Sequence, residues 1–92
     1  MDLQTVLRRA PDSRYRRVQD EGVVIRQSTA EALVVNELGA RLLDLIDGQT
    51  PIEDLVDRLE AEYEVERSRL ETDVLAYLAE LQRIGLVTAK DD

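Results

Sequence analysis

The chain contains no cysteine and no histidine. Disulfides are excluded, and so is catalysis by a thiolate or an imidazole. The common zinc sites, built from those two residue types, go with them. A chain without cysteine fits a reducing cytoplasm. No apolar run approaches the roughly 20 residues of a membrane span. Residues 1–10 are mixed and charged rather than basic and then apolar, so they do not read as a signal sequence. The glycines Gly22, Gly39, Gly48 and Gly85 are too scattered for a phosphate-binding loop. Asp44, Asp47 and Gly48 lack the spacing and the terminal Glu of a calcium loop. Ser13, Ser28 and Ser68 have no base to activate them. Neither catalytic residues nor a cofactor or metal is expected.

What is present is charge. The net charge of −8 disfavours general nucleic-acid binding, because phosphate repels such a surface. The charge is also segregated. Arg8, Arg9, Arg14, Arg16, Arg17 and Arg26 lie in the first third, and most Asp and Glu follow Glu31. One reading is solubility with pairing inside the molecule; the other is that the arginines receive an acidic peptide or partner. A chain of 92 residues builds one domain around one modest core. No internal repeat or low-complexity tract interrupts it.

The organising stretch is residues 33–48. Leu33, Val34 and Val35 are β-prone and run into Asn36, a strong N-cap. Leu38, Leu42, Leu45 and Ile46 then recur at helical spacing, and Gly48 supplies a left-handed stop. The pattern predicts a strand over 31–35 feeding a helix over 37–47. Upstream, Tyr15 to Gln19 is a weak strand, Asp20-Glu21-Gly22 a turn, and Val23-Val24-Ile25 a strand of β-branched residues. Three strands with short links imply an antiparallel meander.

Two more helices follow. Thr50-Pro51-Ile52-Glu53 combines a capping Thr, Pro at the first helical position and Glu three residues on. Ile52, Leu55, Val56, Leu59 and Tyr63 form the stripe of that helix. The last helix runs from about Glu66 to Gly85, with Leu70, Val74, Tyr77, Leu78, Leu81 and Ile84 as its stripe. Leu86 packs back beyond Gly85. Residues 1–13 read as an N-terminal arm broken by Pro11-Asp12-Ser13, residues 14–88 as a single domain, and residues 89–92 as a polar tail. The fold class is α+β: a three-stranded antiparallel sheet packed on a three-helix bundle.

The third strand is the better functional candidate, since neither charge nor proline blunts Leu33, Val34 and Val35 as an edge. Either it is covered and its residues are core, or its edge pairs with a peptide whose alternate side chains enter pockets. Tyr63 and Tyr77 are at core spacing and serve either as core residues with a wet hydroxyl or as contact residues. Arg67 and Arg69 open the last helix against its dipole, so a cation there has another reason.

Val35-Asn36-Glu37 before Ala40-Arg41-Leu42-Leu43-Asp44-Leu45-Ile46 resembles the PqqD family of peptide chaperones, also called RiPP recognition elements. So do Asp47-Gly48-Gln49-Thr50-Pro51-Ile52 leading into Leu55, Val56 and Leu59, and Tyr63 followed by Leu70, Asp73-Val74, Leu78, Leu81 and Gly85-Leu86-Val87. The resemblance covers about residues 15–87. It implies a winged-helix-like fold and binding of a precursor's leader peptide as a strand added to the third strand. The bound precursor is then presented to a modifying enzyme, often a radical-SAM protein. By position, Ala32, Leu33, Val34 and Val35 would form the rail, and Arg67, Leu70, Val74 and Tyr77 the helical wall. Arg67 would meet a leader carboxylate. Members that act in pyrroloquinoline quinone synthesis often carry an aromatic on the first or second strand, where this chain has Tyr15 and no Trp. The competing reading is a winged-helix DNA-binding regulator, but the last helix opens nearly balanced in charge and little chain follows Gly85 to make a wing. An open edge also pairs with its own copy, so a monomer and a homodimer are both compatible.

Overall fold

The computed structural model describes residues 1–89. The strands are β1 (Leu7–Arg9), β2 (Ser13–Val18), β3 (Glu21–Arg26), β4 (Glu31–Val35) and β5 (Val87–Ala89). The helices α1 (Glu37–Leu45), α2 (Ile52–Glu62) and α3 (Arg67–Arg83) lie between β4 and β5. β2, β3 and β4 form the antiparallel meander, in that order. Its inner face gives Val24 and Val35 to a core with Leu42, Leu43, Ile52, Leu55, Leu59, Val74 and Leu78. The architecture is therefore the expected three-stranded sheet on three helices, with one addition.

That addition corrects the reading of residues 1–13 as an arm. β1 pairs antiparallel with β5, so Leu7 lies opposite Ala89, and Leu7 is buried. Upstream of it the chain lies across the start of α2. The amides of Ile52 and Glu53, which a helix leaves without internal partners, donate to the carbonyls of Thr5 and Leu3 at 3.0 and 2.8 Å. This explains why the expected Thr50 cap does not form. Asp47 accepts from the amides of Gln49 and Thr50 and from the Thr50 hydroxyl, so that side chain is already committed. The N-cap is Pro51 instead, and it makes no side-chain cap bond. Of the tail expected over 89–92, Ala89 belongs to β5 and 90–92 lie outside the described residues.

Other local signals behave as the residues predict. Asn36 caps α1 through its side chain, accepting from the Gly39 amide at 2.9 Å. α1 ends at Leu45, two residues before the expected Asp47. Gly85, at φ +83, closes α3 with paired bonds: its own amide to the Gln82 carbonyl and the Leu86 amide to Leu81.

Gly22 has a different role from the one its turn-like context suggests. The β2–β3 turn is Gln19-Asp20, and Gln19 carries the positive φ. Gly22 sits inside β3, where a Cβ would meet Tyr15 Cε1 at 2.5 Å, Val35 Cγ2 at 3.0 Å and Ala40 Cβ at 3.3 Å. Tyr15 has little freedom to yield, because its hydroxyl donates to the Ala40 carbonyl at 3.0 Å. Gly22→Ala is expected to destabilise the domain by about 1–3 kcal/mol through overpacking. A thermal unfolding midpoint equal to that of the wild type would refute this.

Candidate functional site

β4 is an edge strand, and nothing among the described residues pairs with its outer side. Which of its main-chain groups are free follows from the turns. A two-residue turn makes Val18 and Glu21 the hydrogen-bonded closing pair. Bonded and non-bonded pairs alternate along an antiparallel ladder, so Glu21, Val23 and Ile25 direct their amides and carbonyls to β2. Gly22, Val24 and Arg26 are left for β4, where they face Val35, Leu33 and Glu31. The amides and carbonyls of Ala32 and Val34 therefore point away from the sheet. They form a short rail of unpaired donors and acceptors.

A cleft runs beside this rail. β4 and the start of α1 lie antiparallel to α3, and two cavities follow the line between them. At one end Ala32 and Leu33 face Ile84 and Leu86 across about 170 Å³. At the other, Leu38, Tyr63, Val65 and Leu70 line about 220 Å³. Tyr77 lies midway along α3, and its ring occupies the space that a side chain at Gly39 would need. Burial raises the pKa of its hydroxyl, partly opposed by the backbone of Asn36. It stays a neutral donor at physiological pH. Arg26 forms part of the first cavity wall. It donates to the Ile84 carbonyl at 3.3 Å and to Asp12 at 3.4 Å, while its Nε is buried without an acceptor.

The expected site residues divide. Ala32, Leu33 and Val34 are exposed along the edge, Val34 at 62%. Tyr77 is half-buried at the cleft. Val35 and Val74 are core residues, 2% and 0% exposed, so their side chains support the cleft from behind. Leu70 is buried at the floor of the second cavity. Arg67 faces α2. Its guanidinium meets Glu71 at 2.9 Å, Asp57 at 2.5 Å and Glu60 at 3.0 Å, and these carboxylates raise its pKa well above the usual arginine value. That network is reason enough for a cation at the start of α3. Sequence reasoning missed Ile84, Leu86 and Arg26 as cleft residues. The glycine stop at Gly85 was the available signal, since it turns Leu86 back toward the sheet.

Comparison with known proteins gives a consistent result. The family described as coenzyme PQQ synthesis protein D (PqqD) matches residues 21–87. The solved structure of TbiB1 in complex with the TbiA(beta) leader peptide is similar at TM-score 0.82 and 25% identity, covering 92% of this chain and 99% of that one. A lasso peptide synthetase B1 complexed with the leader peptide is similar at TM-score 0.75 and 28% identity, covering 89% and 96%. No curated protein matches the sequence. With most of its length inside the family match, the chain belongs to the PqqD family.

Proposed function

We propose that this chain binds the leader segment of a ribosomally made precursor peptide as a fourth strand on β4 and presents it to a modifying enzyme. The observation that carries this is the open rail of Ala32 and Val34 beside an apolar cleft. Main-chain bonds to the rail supply affinity, and the cavities on either side of Tyr77 read alternate leader side chains. The two structural neighbours, both leader-peptide complexes, support the reading. Leu33, Ile84 and Leu86 take one apolar leader side chain, and the free Nε–H of Arg26 takes an acceptor next to it. Leu38, Tyr63 and Leu70 take the other. The role is binding and presentation, with no chemical step assigned to the chain's own side chains. The absence of cysteine suits work in the reducing cytoplasm.

An interface of this size gives micromolar affinity or somewhat tighter. The test is an amide-shift NMR titration of the labelled protein with the leader of the precursor encoded beside its gene. Shifts are expected over residues 31–36, at Tyr77 and at 84–86. Absence of shifts with that leader, together with shifts on α3 on adding duplex DNA, would replace this reading with a DNA-binding regulator.

A further inference from the structure

The meander has a second face that the cleft does not use. Cross-strand partners share a face, so Arg14, Ile25 and Ala32 form one row and Arg16, Val23 and Val34 the next, all turned away from the core. Ile25 and Val34 are 44% and 62% exposed. Such a face is unusual for a sheet packed on one side only, where polar residues are expected to face water.

The arginines of this face, Arg14 and Arg16, are unspent, as are Arg8 and Arg9 of β1 near the β2 edge. Arg17, Arg26, Arg41, Arg67, Arg69 and Arg83 each pair with a carboxylate. Among the described residues Arg8, Arg9, Arg14, Arg16 and Arg58 have no such partner, although the chain carries 20 Asp and Glu, and all of these but Arg58 on α2 lie in β1 and β2. Arg8, Arg9 and Arg14 line a cavity of about 500 Å³ at the β2 edge, where Arg9 lies 5.7 Å from the centre of the Tyr15 ring. Asp47 also borders it, but its carboxylate is held by Gln49 and Thr50. Unpaired arginines therefore border an exposed apolar strip that continues to the leader rail through Val34.

We infer that this outer face docks an acidic, amphipathic segment of the modifying enzyme. The inference rests on the proposed leader-binding role. Glu or Asp of that segment meets Arg14, Arg16 and the cavity around Arg9, and its apolar residues cover Val23, Ile25 and Val34. A leader strand on β4 turns every second side chain to this same face. The enzyme therefore docks beside the peptide it must modify, without displacing it from the cleft.

The experiment uses the full chain, the leader and the modifying enzyme encoded with it. Arg14→Glu/Arg16→Glu is expected to weaken enzyme binding at least roughly tenfold and to leave leader affinity within about twofold. Wild-type enzyme binding should also fall as salt rises. Arg58→Glu, which reverses an arginine on α2, should change neither. Equal enzyme binding by the double variant overturns the inference. So does a matching loss of leader affinity, which would give the face to the leader. A wild-type dimer that the double variant disperses would give it to a second copy, and overturns the inference equally. The functional reading fails separately, on a wild-type protein that does not bind the leader.

Discussion

Val34→Pro is expected to weaken leader binding roughly tenfold or more while leaving the unfolding midpoint almost unchanged. The two effects separate because of ladder parity. Val34 directs its amide outward, so proline removes a donor that only an added strand would use. The net loss of one hydrogen bond is about 0.5–1.5 kcal/mol, and the ring also obstructs a backbone that must approach to about 4.8 Å. Leu33→Pro, one residue earlier, is expected to lower the unfolding midpoint instead, and it also weakens leader binding because Leu33 lines the first cavity. Its amide serves the β3 ladder opposite Val24, so its removal leaves a core-side carbonyl unpaired and costs about 1–3 kcal/mol of stability. Thermal unfolding and leader titration on both variants decide the matter. If Val34→Pro unfolds the domain and Leu33→Pro does not, the assigned parity is inverted.

The largest stability effect is expected from Leu7→Ala. Leu7 is 1% exposed and belongs to the same core as Leu43, Ile52 and Val87. Large-to-small substitution at such a site costs about 2–5 kcal/mol. A domain of this size has about 5–14 kcal/mol in all, so the variant loses a large fraction of it. The expected fall in unfolding midpoint is about 10–30 °C. A mobile arm would tolerate the change within about 0.5 kcal/mol, so a neutral Leu7→Ala would restore that reading.

The difference between the arm and the observed β1 marks where sequence reasoning stops. Asn36 and Gly85 were legible because each works on groups within a few residues of itself. The meander was legible because β-branched runs and short links are local signals. β1 is three residues long, two of them arginine, and its partner is at the far end of the chain. No periodicity reports such a pairing. Thr50 failed as a cap for a related reason: the amides it would have served are met by Leu3 and Thr5, nearly fifty positions upstream. Gly22 was misread because a packing glycine beside a turn looks like a turn glycine. At the candidate site, strand and helix differ in what the sequence reports. The open edge of β4 was read from Leu33, Val34 and Val35, whereas the placing of the α3 side chains was not, since helical spacing alone cannot separate buried Val74 from half-exposed Tyr77.

The pairing of β1 with β5 also bears on the order of folding. The entropy lost in closing a loop grows with its length, and this contact joins the first strand to the last. The hairpins of the meander close loops of two and four residues, so they form at far smaller cost. The terminal clip is therefore expected to close after the rate-limiting step. Destabilisation at Leu7 should then appear as faster unfolding at a nearly unchanged folding rate in stopped-flow chevrons. In kinetic terms, the clip sets how long the folded domain lasts rather than how quickly it is made.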